Sequence, residues 1–136
     1  MRWAITSLAL IASAPALAQP STEAFISPPL AGVQAGAVQV GMDYGALRGV
    51  LLVAGWEAAS DTDCVKGVYG GTGARTPGQE NICRDLPEIE ACSGDGHCVM
   101  YFSNPRTDHR VRITTYGDLR AWEQKNQLSV LGWEQQ

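Results

Sequence analysis

Positive charge is scarce in this chain. Ten Lys and Arg face fourteen Asp and Glu, a formal net charge of −4, whereas a general nucleic-acid binder or a binder of anionic membrane shows the opposite balance. Also missing is any apolar run that reaches the roughly 20 residues that a membrane-spanning helix needs. There is no Cys-x-x-Cys and no His-x-x-x-His pair, which takes away the usual skeleton of a zinc site. There is no Gly-x-Ser-x-Gly elbow to present a nucleophile. No glycine-rich loop ends in Gly-Lys-Ser/Thr, so the cradle of a phosphate-binding loop is absent as well.

What is present starts at the N-terminus. Met1 and Arg2 precede an apolar run, WAITSLALIASAPALA, that closes in Ala16-Leu17-Ala18. A basic start, an apolar core and a small-x-small exit are the parts of a secretory signal peptide. Residues 1–18 are therefore set apart from the fold; an uncleaved anchor would need a longer apolar run. No Cys follows Ala18 to accept a lipid, and Arg2 stands alone rather than in a twin-arginine signal. The expectation is export to the periplasm or beyond, with no membrane insertion after cleavage. Residues 19–136 then suffice for one small domain. Without Arg2 that portion holds nine basic and fourteen acidic side chains, a net charge of −5.

All four cysteines, Cys64, Cys83, Cys92 and Cys98, lie in this portion. An even number in an exported chain reads as two disulfides. Four cysteines allow three pairings, and Cys64 with Cys83 plus Cys92 with Cys98 is favoured because each closes a loop rich in Gly and polar residues. On the chain-entropy model, closing a loop of about fifteen residues is worth ~3 kcal/mol. The competing reading is a metal site with His97 as an extra ligand beside Cys98. The expectation here is no metal and no cofactor.

The organising stretch is Met42 to Trp56, MDYGALRGVLLVAGW. Asp43 suits an N-cap, Leu47, Val50, Leu51 and Ala54 recur at helical spacing, and Gly55 sits where a left-handed residue ends a helix. So short a helix cannot stand alone in water and must bury that stripe. Residues 19–41 hold three of the seven prolines, three glycines and one charge, a composition that predicts a flexible leader, with Ala37–Val40 as a possible short edge strand. After a brief strand at Trp56–Ala58, residues 59–90 show no sustained apolar period and read as a long loop. Such length calls for a covalent tie, which Cys64 and Cys83 supply. Within it, Gly70-Gly71-Thr72-Gly73-Ala74-Arg75 has a superficial phosphate-loop look but reads as a surface loop.

Beyond a tight Ser93-Gly94-Asp95-Gly96 turn, HCVMYFS (97–103) and RVRITTY (110–116) alternate as two strands of a hairpin around the turn-forming Asn104–Asp108. Leu119 and Trp122 are spaced for a single helical turn, and LSVLGW (128–133) makes a further strand. The predicted fold is α+β, one central helix on a three- to four-stranded antiparallel sheet with a long disulfide-tied loop, spanning residues 42–136. Alternation points Cys98, Met100, Phe102, Val111, Ile113 and Thr115 at the helix. Val99, Tyr101, Arg110, Arg112, Thr114 and Tyr116 take the other face. The register is set this way because both arginines would be costly to bury.

Two segments carry a resemblance. Tyr44-Gly-Ala-Leu47-Arg48-Gly-Val-Leu51-Leu-Val-Ala-Gly55-Trp56, and Pro87-Glu88-Ile-Glu-Ala-Cys92-Ser-Gly94-Asp-Gly96-His-Cys98-Val-Met-Tyr-Phe102 with a following hairpin and Gly132-Trp133, resemble a group of small exported bacterial proteins of unknown function. The resemblance implies a periplasmic α+β module with a Cys92–Cys98 loop and brings no catalytic residues. The Cys64 and Cys83 pair departs from it and rests on the cysteine count.

Catalytic candidates are thin. Ser93, Asp95 and His97 hold the residue types of a triad, but neighbours in one tight turn seldom reach its geometry. His109 reads as a surface histidine. Asp61 with Asp63 lacks the spacing of a calcium loop, and Glu88 with Glu90 reads as a solvated edge. Tyr101, Arg110, Arg112 and Tyr116, with Trp122 or Trp133 near them, are types enriched in interface hot spots. An ordinary solvated sheet face would carry the same pattern. The expected function is a non-enzymatic module, inhibitor-like or immunity-like, that binds another envelope or secreted protein through this face and takes no nucleic acid. The alternative is an envelope enzyme or ligand-binding module acting on cell-wall material through His97 and the glycine-rich loop. A purely structural envelope component is the third reading.

Overall fold

Alternating apolar and polar residues become strands here because each alternation can bury one face while the other stays wet. In the computed structural model, which describes residues 27–70, 82–124 and 127–136, the chain runs α1 (Tyr44–Val53), β1 (Glu57–Ala58), α2 (Cys64–Tyr69), α3 (Ile82–Asp85), β2 (Ile89–Cys92), β3 (His97–Asn104), β4 (His109–Gly117), a 3-10 turn (Leu119–Ala121) and β5 (Leu128–Gln135). The five strands form one antiparallel sheet in which β3 pairs β4 and β4 pairs β5, while β1 and β2 lie end to end along the other edge of β3. The fold is α+β, with a sheet of five strands where three or four were expected. The unforeseen one is β2, whose four residues are broken by a bulge between Ile89 and Ala91 and so carry no readable period.

The hairpin faces are as expected. Cys98, Met100, Phe102, Val111, Ile113 and Thr115 are all buried, and α1 packs on that side with Tyr44, Leu47 and Leu51 inward. Asp43 caps α1 through its side chain on the Ala46 amide at 3.1 Å, and Gly55 leaves the helix at φ +88°, a conformation cheap only for glycine. Val50 and Ala54, expected in the buried stripe, are only partly covered. Tyr44 replaces them because its hydroxyl has a buried partner, described below.

The leader differs from its expectation over residues 27–41. Leu30 is buried, Trp133 Nε1 donates to Pro28 O at 2.7 Å, and Trp56 Nε1 donates to Ala31 O at 2.8 Å. Buried indoles need acceptors, and this segment's carbonyls provide them. Ala37–Val40 is a turn; the pairing with β5 comes slightly later, where the Gly41 amide reaches Val130 O at 2.7 Å and the Val130 amide reaches Met42 O at 2.9 Å. Residues 1–18, read as a signal peptide, lie outside the described residues.

The region read as a loop also differs, for it contains α2, α3 and β2. Helices of six and four residues are too short to show a period. Both disulfides pair as favoured, Cys64 with Cys83 between α2 and α3, and Cys92 with Cys98 across directly opposed positions of β2 and β3. The Ile82 amide also donates to the Tyr69 hydroxyl at 3.1 Å beside the first of them. Gly71 to Arg75 lie outside the described residues.

Both flanks of the sheet are thus partly covered, β5 by residues 27–43 and β2 by α2. Covering unpaired edge amides is a common defence against edge-to-edge association. The surface left open is the sheet's outer face.

Candidate functional site

The four residues singled out from sequence, Tyr101, Arg110, Arg112 and Tyr116, share that outer face, but they fall into two groups. Register places Tyr101 opposite Arg112 and Ser103 opposite Arg110. The Arg110 guanidinium carbon lies 4.1 Å from the centre of the Tyr101 ring, within range of a cation–π attraction worth about 0.5–1 kcal/mol at an exposed site. Arg112 sits 3.7 Å from Glu134 on β5, both side chains partly exposed, and such a pair is weak. Tyr116 lies further along the hairpin opposite His97, the two rings tilted with centroids 4.9 Å apart. Val99 and Thr114 separate the two groups.

Between Thr114 and the edge of β5 the outer face opens into a groove of about 640 Å³, lined by Ser27, Pro28, Thr114, Leu131 and Glu134 among others. It exists because Gly132 stands opposite Thr114 and has no side chain to fill the space. Sequence reasoning placed Trp122 or Trp133 near this face; Trp133 is among the residues that line the groove, yet neither presents a free ring there. Trp133 pairs with Ile113 on the core side and is buried, and Trp122 is partly buried against the core.

The Ser93–Asp95–His97 turn does not make a triad. Asp95 Oδ1 accepts from Ser93 Oγ and lies 2.9 Å from His97 Nδ1, so the carboxylate stands in the middle. In a working triad the imidazole holds that place and takes the serine proton. The Ser93 hydroxyl bond, and then His97, hold the Asp95 carboxyl down at about 2. The zinc reading fails as well, since all four cysteines are in disulfides. Asp61 is used locally, its carboxylate accepting from the Asp63 amide at 2.8 Å just before α2.

One site was missed from sequence. Glu88, read as part of a solvated edge, is fully buried. Its Oε1 accepts from the Tyr44 hydroxyl at 2.6 Å and from Arg48 Nε at 2.7 Å, and its Oε2 has no hydrogen-bond partner. Burial and then the neighbouring Glu88 hold the Tyr44 phenol well above its ordinary value, so it stays a donor. Arg48 was the available signal. It is the only charge within α1, and a cation on a helix whose apolar side is buried calls for a buried partner. This cluster ties α1 to the approach of β2 and lines none of the surface grooves described here, so its arrangement is that of a structural bond.

Fold and site define a disulfide-bonded α+β domain with one open sheet face. Two disulfides fit an extracellular or periplasmic protein, and among the described residues no helix is long and apolar enough to cross a membrane. No protein-family model, curated protein or solved structure matches the chain.

Proposed function

We propose that the protein is exported through residues 1–18 and acts in the bacterial periplasm or outside the cell as a non-enzymatic module that binds another protein, inhibitor-like or immunity-like. Its docking surface is the outer sheet face, centred on Tyr101, Arg110 and Arg112, with Tyr116 and His97 at one end. The observation that carries this reading is the Arg110–Tyr101 stack on the open side of a sheet whose other side is filled by the core. Prearranged Tyr and Arg side chains lose less entropy on docking than mobile ones, and these types dominate interface hot spots. The Ser93–Asp95–His97 arrangement, with a carboxylate and not an imidazole on the serine, speaks against triad-type hydrolysis at the neighbouring turn.

The test is capture from envelope extract by the purified protein and by Tyr101→Ala with Arg112→Ala. Both residues face outward, so the variant is expected to fold while retaining at least tenfold less of the captured protein, a loss of about 1.4 kcal/mol or more. Equal retention by the variant would sink the surface assignment. Recovery of cell-wall fragments in place of a protein would move the reading to cell-wall binding.

A further inference from the structure

The arginines of this chain divide by how their charge is met. Arg48, Arg84 and Arg120 each hold a carboxylate of the chain, at 2.7, 2.9 and 3.0 Å. The two on the outer sheet face do not. Arg112 reaches Glu134 only at 3.7 Å, too far for a hydrogen bond. Arg110 has no carboxylate within ion-pair distance among the described residues, and its guanidinium lies over the Tyr101 ring instead. Stacking fixes that group in place and leaves its N–H donors for a carboxylate from outside. Lys66 and Arg106 stand singly, on α2 and in the turn between β3 and β4. Arg110, Arg112 and Thr114 occupy alternate positions of β4, so they stand about 7 Å apart along one line. Thr114 opens the groove whose walls include Pro28, Leu131 and Trp133. Glu134 lines that groove and also faces Arg112, so the cationic pair and the groove form one continuous surface.

We propose that the partner presents an extended acidic segment to this surface, with an Asp or Glu seated between Arg110 and Arg112. A large apolar side chain two to three residues along the same segment enters the groove beside Thr114. Charge complementarity selects this occupant. Guanidinium forks bond carboxylate oxygens in pairs, whereas an apolar segment would bury the donors unmet and a basic one would meet like charge. An extended chain laid along β4 repeats its own side chains at the same spacing of about 7 Å, so a carboxylate over the arginines carries a following residue on to Thr114. The carboxylates on this face are Glu134 and, across Ser103 from Arg110, Glu57 on β1. They and the rest of a chain of net charge −4 repel the same segment wherever the arginines are not. At physiological salt that repulsion reaches only about 8 Å, so it fixes where the segment lands without preventing its approach. Glu134 is the competitor built into the site, holding Arg112 loosely until the partner's carboxylate displaces it. The proposal gives the partner's chemistry for the docking face described above and rests on that reading.

Panning a phage-displayed random peptide library on the immobilised purified protein tests it without any known partner. Enriched peptides are expected to carry Asp or Glu two to three residues from Leu, Ile, Phe or Trp. One such peptide, labelled and followed by fluorescence anisotropy, should bind Arg110→Gln with Arg112→Gln at least about tenfold more weakly than the parent protein. Leu131→Ser, which removes an exposed apolar wall of the groove, should weaken binding severalfold. Glu134→Gln should tighten it severalfold, because the change frees Arg112 and removes a like charge, and damage to the fold does not produce a gain. Replacing the peptide's own acidic residue by its amide should abolish the difference between the parent and the double arginine variant. Enriched peptides that lack acidic residues but lose binding to Tyr101→Ala would overturn the acidic partner and keep the docking face. Weaker binding to Glu134→Gln would overturn it in the same way. No enrichment, or peptides indifferent to the changes at Tyr101, Arg110 and Arg112, would overturn the docking face as well.

Discussion

Glu88 is the residue whose surroundings ask most of the fold. Burying a carboxyl group is costly unless donors meet it, and here two donors from one helix, the Tyr44 hydroxyl and Arg48 Nε, converge on Oε1. Removing one partner of a buried pair typically costs 3–5 kcal/mol, because the other is left uncompensated, whereas replacing both is close to neutral. Arg48 keeps about a fifth of its side-chain exposure, so the lower end applies. Arg48→Met is expected to lower the unfolding free energy by about 3 kcal/mol, and Arg48→Met with Glu88→Gln to recover most of that loss. Denaturant unfolding of the three chains measures both. A single variant as stable as the parent would mean that the cluster contributes nothing. The pair was hidden in the sequence because Glu88 follows Pro87 and shares a short run with Glu90, where two acidic residues commonly mark a solvated edge.

The short elements are held by backbone contact more than by their own propensity. Gly67 in α2 lies against β2 so closely that an added Cβ would sit 2.1 Å from Glu90 O and 2.7 Å from Ala91 Cα. Gly67→Ala is therefore expected to push α2 off the β2 edge and cost at least about 2 kcal/mol, although alanine is the better helix former. A thermal melt decides it, and an unchanged or raised midpoint would show that α2 does not need this approach. What the sequence made legible at this scale follows the same logic. α1, the β3–β4 hairpin and β5 were readable because each is long enough to show a cap, a period or an alternation, and the hairpin's alternation correctly put Tyr101, Arg110, Arg112 and Tyr116 on one face. α2, α3 and β2 were not, since their stability comes from neighbours distant in sequence. The groove beside Thr114 was hidden by one event, a register shift in β5 between Val130 and Gly132. Strict alternation from Leu128 would turn Gly132 inward and Trp133 outward; the extra residue reverses the two and opens the groove.

At the scale of the whole molecule, one face of the sheet is buried by α1 and the two flanks are covered, so residues 27–41 belong to the structural unit. They supply the acceptors for two buried indoles, at Pro28 O and Ala31 O, a hydroxyl on the Trp133 amide from Ser27 at 3.2 Å, and the buried side chain of Leu30. Each of these three hydrogen bonds contributes about 0.5–1.5 kcal/mol net of what water would supply, and a buried leucine contributes roughly 2 kcal/mol. A chain beginning at Met42 should therefore be about 4–6 kcal/mol less stable than one beginning at Gln19. Against a typical total of 5–15 kcal/mol, that brings the domain close to unfolding. Its melting midpoint is expected to fall by more than about 15 °C, with red-shifted tryptophan emission as Trp56 and Trp133 meet water. Equal midpoints and equal emission for the two chains would return the leader to the role of a tether.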